Sequence, residues 1–183
     1  MQLGPLAIII VWTAYSMVYY KTDRTGHTTL SGVAASTKKN YWIFSTGLFV
    51  SGVLMFLFVR LWYLDALDLP LTFLYLTGLA TLLFQPLIAF VPYSKGVKTI
   101  IHNIAAYAES AILPILAVFI AQSRQLPFLI RTVCWLILLI MLYSFIEFRR
   151  QFLKPRFIHV QAVYTASFHL IILLTTFSII IRV

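Results

Sequence analysis

The chain has 183 residues, of which 61% are hydrophobic and 10% are charged. Soluble globular domains carry about 25% charged residues, so this composition excludes that class and indicates an integral membrane protein. The net charge of +9 does not indicate nucleic-acid binding, because no reading module or aromatic platform accompanies the basic residues.

Six apolar runs separated by short polar breaks follow one another along the chain. Each approaches the roughly 20 residues that a helix needs to cross the hydrocarbon core of a bilayer. We therefore expect an all-α fold, a polytopic transmembrane bundle of six helices in a single domain over residues 1–183. The first run follows only "MQLG", which lacks the basic segment of a secretory signal, so we expect a retained helix. The predicted helices cover residues 5–20, 41–64, 70–91, 101–122, 128–147 and 157–181.

The first loop carries hydroxyl side chains that predict a short helix through "GVAAS". The hydroxyls of Thr28, Thr29 and Ser31 can accept hydrogen bonds from the backbone N–H groups at the start of a helix, which otherwise lack partners. We expect this short helix to lie on the inner surface of the membrane.

Small residues and prolines inside the predicted helices indicate how the helices pack. Gly47 and Ser51 in the second helix lie one turn apart, a spacing that lets the backbones of neighbouring helices approach. Pro86 and Pro114, in the third and fourth helices, lack an N–H group and free backbone carbonyls that a neighbouring group or a water must satisfy. The two prolines lie at unequal depths, so they do not form the paired broken helices of inverted-repeat transporters.

The basic residues are distributed unevenly between the two sides of the predicted bundle. Ten lie on the side of the first, third and fifth loops, and four lie on the opposite side. By the positive-inside rule, this bias places the first side in the cytoplasm and both termini on the non-cytoplasmic side. The ten are Lys21, Arg24, Lys38, Lys39, Lys95, Lys98, Arg149, Arg150, Lys154 and Arg156, and the four are Arg60, Arg124, Arg131 and Arg182.

Polar and ionisable side chains gather in the inner half of the predicted bundle. In the fourth helix, steps of three or four residues put His102, Asn103, Tyr107 and Glu109 on one polar face that begins at the inner end. The inner ends of the third, fifth and sixth helices add further polar groups. Ionisable groups at membrane depth cost a few kcal/mol and mark candidate functional sites. The predicted binding residues are His102, Asn103, Tyr107, Glu109, Glu147, His159, Gln161, Tyr164 and His169.

Two non-catalytic interpretations of this polar cluster stay open. In the first, the side chains satisfy one another and only hold the bundle together. In the second, they form an inner-leaflet site that binds a lipid, another amphiphile or a partner membrane protein. The head group of such a lipid would meet Lys95, Lys98, Arg149 and Arg150.

Catalytic and cofactor-binding interpretations are the alternatives. A lipid-modifying hydrolase or transferase could use the His and Glu side chains, although the sequence marks no base and no oxyanion donors. No H-x-x-x-H or H-E-x-x-H pair is present, so we expect no metal site. Haem could be held between helices by His102 or His159 on one side and His169 on the other, but it needs histidines at similar depth, and His102 and His169 are not well matched. Glu109 could instead serve as a proton relay. We therefore expect no cofactor.

The segment "FVPYSKGVKTIIHNIAAYAES" resembles a motif of a broad group of small six-helix membrane proteins. The shared pattern is a proline, a His-Asn or His-Asp pair about ten residues later, and then an alanine and an aromatic residue. The matching positions are Pro92, His102, Asn103, Ala106 and Tyr107. The group includes bacterial families of unknown function and, more distantly, the damage-regulated autophagy modulator and Frag-type GPI-anchor-remodelling proteins. The resemblance implies a six-helix bundle and a role tied to lipid or membrane trafficking, without a defined reaction. The eukaryotic relatives are usually drawn with cytosolic termini, so the charge pattern of this chain differs from them in orientation.

Overall fold

A computed structural model describes residues 1–21, 29–91, 96–151 and 157–181. Seven helices form in these ranges, and no strand is found there. The helices are α1 (Leu3–Lys21), α2 (Leu30–Ala35), α3 (Lys38–Ala66), α4 (Leu71–Phe90), α5 (Val97–Gln122), α6 (Phe128–Gln151) and α7 (Phe157–Ile180).

Every helix except α2 is long and apolar enough to cross a bilayer. The most apolar 18-residue windows of these six helices have mean hydropathies between 1.5 and 2.2. The protein is therefore a multi-pass integral membrane protein with an all-α bundle, as the sequence predicts.

Several membrane helices extend beyond the predicted apolar runs, and α5 and α6 do so by the most residues at one end. Helix α5 begins at Val97, directly after Gly96, which takes a φ of 82° and so starts the helix with a conformation that suits glycine. Helix α6 continues through the charged residues to Gln151. Apolarity marks the hydrocarbon core, whereas a helix continues into the polar interface, and the predicted ends fall short for this reason.

The short helix α2 and the long helix α3 both begin at threonine caps. The Oγ1 of Thr29 accepts a hydrogen bond from the N–H of Gly32 at 3.0 Å, and the Oγ1 of Thr37 accepts one from Asn40 at 3.2 Å. The predicted capping of α2 is thus confirmed for Thr29, while Thr28 lies outside the described residues.

Helices α3 and α4 each contain a π-helical stretch, over Val59–Tyr63 and Leu79–Phe84. At the end of the second stretch, the N–H of Gln85 donates to the carbonyl of Ala80, five residues back. The next residue, Pro86, has no N–H to continue either helical register. The π-helical stretch therefore lies directly before the predicted break at this proline.

Close helix packing occurs where glycines of α3 face α1 and α4. A Cβ atom on Gly47 would lie 2.4 Å from the Cβ of Ala14 in α1. A Cβ atom on Gly52 would lie 2.6 Å from Oε1 of Gln85 and 2.7 Å from the carbonyl oxygen of Thr81 in α4. The close approach predicted at Gly47 is confirmed, and Gly52 adds a second one.

The buried apolar residues form two separate cores. We call the end of the bundle where α1 and α4 end and α5 begins the His102 end, and the opposite end, where α3 ends, the Tyr63 end. The Tyr63 core fills the Tyr63 end and continues along α6 and α7, whereas the Val33 core lies at the His102 end. The fully buried members of the first include Tyr63, Phe73, Ile120, Met141 and Ile171, and the second contains Val11, Val18, Val33, Phe44 and Ala89.

Candidate functional site

A cavity of about 460 Å³ lies between the two cores. Binding sites for small molecules and cofactors typically measure about 300–1,000 Å³, so the cavity has the size of a ligand site. Its walls come mainly from α1, α3, α4, α5 and α7, and most of the wall is aliphatic or aromatic. The apolar part includes Val11, Phe44, Leu48, Met55, Ile88, Leu113, Phe148, Ile158 and Phe168.

Six of the nine predicted binding residues line this cavity. They come from α5 and α7 and are His102, Glu109, His159, Gln161, Tyr164 and His169. Asn103 and Tyr107 instead line a smaller hollow of about 50 Å³, which Gln161 also borders. Glu147 lies outside the cavity and pairs with Arg150 at 3.0 Å.

The predicted head-group residues do not contribute to the cavity wall where the structure describes them. Lys98 and Arg150 are exposed to the outside of the bundle. Lys95 and the side chain of Arg149 lie outside the described residues, as does Pro92 of the family-like motif. The described cavity wall therefore contains no lysine or arginine.

Glu109 places a carboxyl group in the cavity near the middle of α5. It makes no hydrogen bond or ion pair with any residue that the structure describes. The hydroxyl groups of Tyr15 and Tyr164 lie within electrostatic reach of the carboxyl. The two groups that accompany Glu109 are thus neutral phenols rather than basic side chains.

His169 is held in one tautomer by a tryptophan of α1. The indole Nε1–H of Trp12 donates to Nδ1 of His169 at 3.0 Å. Because an indole N–H can only donate, Nδ1 must accept, and the ring proton lies on Nε2. His169 is therefore a neutral ring with one N–H donor in the cavity wall.

Tyr164 satisfies a carbonyl that a proline leaves free. Pro114 has no N–H, so the carbonyl of Ser110, four residues earlier, loses its helical donor. The hydroxyl of Tyr164 in α7 donates to this carbonyl. The sequence predicts that a neighbouring group must fill this role, and Tyr164 is that group.

Both ring nitrogens of His102 are engaged by backbone and hydroxyl groups. Nδ1–H donates to the carbonyl of Val91 at 2.8 Å, and Nε2 lies 3.0 Å from the Oγ of Ser31 in α2. A carbonyl can only accept, so the Nδ1 proton is required and the neutral ring accepts from the Ser31 hydroxyl. His102 thus connects α5 to α2 and to the end of α4.

Side chains satisfy the last two carbonyls of α4 and the carbonyl that follows them. The hydroxyl of Ser45 donates to Ala89, and the hydroxyl of Tyr41 donates to Phe90 at 2.9 Å. His102 completes the set at the residue that follows the helix. Helix ends leave such carbonyls without intrahelical donors, so this part of the polar cluster stabilises the fold.

The cavity reaches the outside of the bundle between α1 and α7. Tyr20 is 80% exposed, and His159 and Ala162 are exposed too, yet all three line the cavity. The Trp12–His169 bond crosses this seam, and a bond of 3.3 Å between the Tyr19 hydroxyl and Nε2 of His159 crosses it nearer the His102 end. Between these two hydrogen bonds, the small exposed residues Ser16 of α1 and Ala162 of α7 frame a lateral opening.

The sequence did not predict that aromatic residues of α1 form part of the cavity wall. Trp12, Tyr15 and Tyr19 follow one another at steps of three and four residues, which puts them on one face of α1. This spacing could have indicated from the sequence that α1 contributes to the site. Tryptophan and tyrosine in a membrane helix are usually interpreted as residues of the lipid interface, so the aromatic face of α1 is not recognised as part of a site.

No metal-binding geometry is found where the structure describes the chain. No three His, Cys, Asp or Glu side chains converge there. No family model, curated protein or solved structure matches the chain. Its function therefore has to be inferred from the chemistry of the cavity.

Proposed function

We propose that the protein binds a lipid or another amphiphile in the cavity between α1, α3, α5 and α7, without catalysing a reaction on it. The observation that carries this proposal is the carboxyl group of Glu109, which faces an apolar-walled cavity of about 460 Å³ without a hydrogen bond to a described residue. An ionisable group at membrane depth is costly and is a functional-site hypothesis by default.

The lining of the cavity matches an amphiphile in its distribution of polar and apolar groups. The polar groups Glu109, His169 and Gln161 can hydrogen-bond to a head group, while Phe44 and Phe168 offer surface to a hydrocarbon body. The Oε1 atom of Gln161 is buried and has no partner among the described residues. A ligand could satisfy it, as buried polar atoms normally require.

The lateral opening supports access from the membrane rather than from water. It lies between two membrane-spanning helices, so the residues that frame it face lipid. A ligand that partitions into the bilayer is therefore concentrated at the opening.

We also propose that the cavity lies in the cytoplasmic half of the membrane, with both termini on the non-cytoplasmic side. The support is the charge bias, since Lys38, Lys39 and Lys98 are exposed at the His102 end. A protease-sensitive tag at the C-terminus tests this orientation in sealed right-side-out vesicles. Cleavage by external protease is expected, and protection of the tag would reverse the orientation.

A cavity-filling substitution tests the amphiphile site. Ala106 lines the cavity on α5, whereas Ala111 is exposed on the same helix. Native mass spectrometry of wild-type protein released from lipid nanodiscs is expected to show one tightly retained lipid per chain. We expect Ala106→Phe to lose this adduct and the control Ala111→Phe to keep it. An adduct that survives Ala106→Phe, or a wild-type protein without one, would contradict the proposal.

A lipid-modifying hydrolase is the second candidate, favoured by the Ser31–His102 pair. The Oγ of Ser31 lies 3.0 Å from Nε2 of His102, whose Nδ1–H is oriented by the Val91 carbonyl. This is the arrangement of a nucleophile, its base and an orienting group. It ranks second because the N–H of Gly32, the nearest backbone donor for an oxyanion, is already bonded to Thr29.

Active-site labelling decides this second candidate. A fluorophosphonate probe reacts with activated serines and would label Ser31 in wild-type protein. Ser31→Ala would abolish the label, whereas Ser36→Ala, at an exposed serine of the same segment, would keep it. An unlabelled wild-type protein would remove the hydrolase from consideration.

A further inference from the structure

Resting on the proposed amphiphile site, we infer that the ligand carries a basic amine and that its ammonium group binds to Glu109. Three features of the cavity point to an ammonium group: a carboxyl group without a described partner, a wall without a described lysine or arginine, and aromatic rings near the carboxyl group.

At the position of Glu109, an ionised carboxylate needs a partner. Glu109 is the thirteenth of the 26 residues of α5, so it lies roughly 18 Å along the helix axis from Val97 and far from either aqueous surface. A carboxylate taken out of water needs an opposite charge or several hydrogen-bond donors to compensate the lost hydration. The described residues supply no such bond.

The described side chains near Glu109 do not provide the positive charge. His159 also lines the cavity, but it lies at the exposed opening between α1 and α7. The wall contains no lysine or arginine among the described residues. His169 accepts from Trp12 at Nδ1 and so remains neutral while that bond exists. His102 is directed to Val91 and Ser31 rather than to Glu109. A cation that pairs with Glu109 would therefore come from the ligand.

Aromatic rings near Glu109 offer surfaces on which an ammonium group can pack. Tyr15 lies within electrostatic reach of the carboxyl group and stacks on Phe44 at a centroid distance of 5.8 Å. Tyr164 approaches from α7 and packs on Phe148 at 5.0 Å. The face of an aromatic ring carries negative potential and attracts ammonium groups. The same potential, added to the carboxylate, repels a phosphate or a fatty-acid head group.

Anionic head groups have a different place on this protein. Lys38, Lys39 and Lys98 are exposed on the outside of the His102 end, where membrane phosphates can meet them without entering the bundle. The exposed surface and the cavity therefore select opposite charges, and the cavity takes the cationic amphiphile.

Three ligands with the same twelve-carbon chain separate head-group charge from hydrophobicity. Dodecylamine, dodecanol and dodecanoate are added to the protein in nanodiscs of zwitterionic lipid, with empty nanodiscs as the baseline. Affinity is measured from the rise in melting temperature with ligand concentration. We expect dodecylamine to bind at least about tenfold more tightly than dodecanol, because charge-assisted hydrogen bonds are about twice as strong as neutral ones. Dodecanoate is expected to bind most weakly.

Substitutions assign this preference to one carboxyl group. Glu109→Gln keeps the shape of the side chain and is expected to remove the preference for the amine while dodecanol still binds. Glu147→Gln is the matched control, because Glu147 lies outside the cavity and pairs with Arg150, and it should keep the preference. Glu109→Asp retains the charge and should retain part of the preference.

The outcomes distinguish this inference from the function on which it rests. If all three ligands bind with similar affinity, or if dodecanoate binds best, the amine inference is overturned while the amphiphile site stands. If none of the ligands binds, the proposed function fails as well. If Glu109→Gln does not fold, the comparison of the three ligands on wild-type protein and on Glu109→Asp still decides the inference.

Discussion

The Tyr63 end and the cavity are built from the same kinds of residue, yet they differ in packing and in the polar groups that they leave without a described partner. At the Tyr63 end, the hydroxyl of Tyr63 bonds to Thr175, and Ser123 donates to the carbonyl of Leu67 at 2.6 Å. Helix packing there is tight, with Tyr63 completely buried. In the cavity, Glu109 and the buried Oε1 of Gln161 have no described partner.

This difference in packing and in unpartnered polar groups indicates which region can bind a ligand. One hydroxyl at the Tyr63 end, that of Thr176, also lacks a described partner, but it is completely buried among packed helices. Buried polar atoms without partners are costly and uncommon in folded proteins. Glu109 and Gln161 instead line a cavity that a ligand can enter, and this difference favours a binding role over a purely structural one.

Phe73→Ala and Phe168→Ala compare the two regions with one chemical change. Phe73 is 1% exposed at the Tyr63 end, whereas Phe168 is a 6% exposed member of the same core where that core borders the cavity. We expect Phe73→Ala to lower the free energy of unfolding by about 3–5 kcal/mol, because it leaves a void in a packed core. Phe168→Ala should cost less than half as much, since part of its ring already faces empty space. Reversible unfolding in mixed detergent micelles measures both, and equal losses would mean that the regions do not differ in packing.

The fold could be predicted from the sequence because apolar length is enough to identify a membrane helix. The predicted ends were least accurate at Val97 and Gln151, where the helices run into polar residues that hydropathy does not count. The cap at Thr29 could be predicted as well, because the donor and acceptor are only three residues apart. Local features of this kind do not depend on how the helices cross.

From the sequence, the candidate site could be predicted only where ionisable residues interrupt an apolar helix, as in α5 and α7. Glu109 and His169 are conspicuous because they interrupt apolar runs. Their depths along the two helices were enough to predict that they lie in the same part of the bundle. Trp12 did not stand out, because its bond to His169 joins residues 157 positions apart. The cavity itself is the space left by the crossing of five helices, and no local pattern records that space.

His102→Ala and Glu109→Gln separate the structural and the ligand-binding parts of the polar cluster. We expect His102→Ala to lower the free energy of unfolding by about 1–3 kcal/mol, because partly buried groups on Val91 and Ser31 lose their partner. Glu109→Gln should leave the stability of the ligand-free protein almost unchanged, since its carboxyl group bonds to no described residue. The melting temperature of both variants in lipid-free detergent provides the comparison. A large loss from Glu109→Gln would assign that carboxyl a structural role instead.

Tyr164→Phe tests whether the cavity wall depends on the carbonyl that Pro114 frees. The substitution removes the hydroxyl that donates to Ser110, and we expect it to cost about 1 kcal/mol, within the range of interhelical hydrogen bonds in membranes. Pro114→Ala restores an N–H four residues after Ser110, so Tyr164→Phe should cost close to nothing in that background. Tyr143→Phe, at a tyrosine that is 64% exposed, is the control and should be neutral.

The double-mutant cycle gives this coupling directly from four melting or unfolding measurements. Residues in one hydrogen-bonded unit show non-additive costs, whereas independent residues add. An equal cost of Tyr164→Phe with and without Pro114 would mean that Tyr164 stabilises the wall through ring packing against Phe148 rather than through its hydroxyl. A coupling of about 1 kcal/mol would place Tyr164 with His102 among the residues that hold the cavity open, and would leave Glu109 as the group that the cavity presents to its ligand.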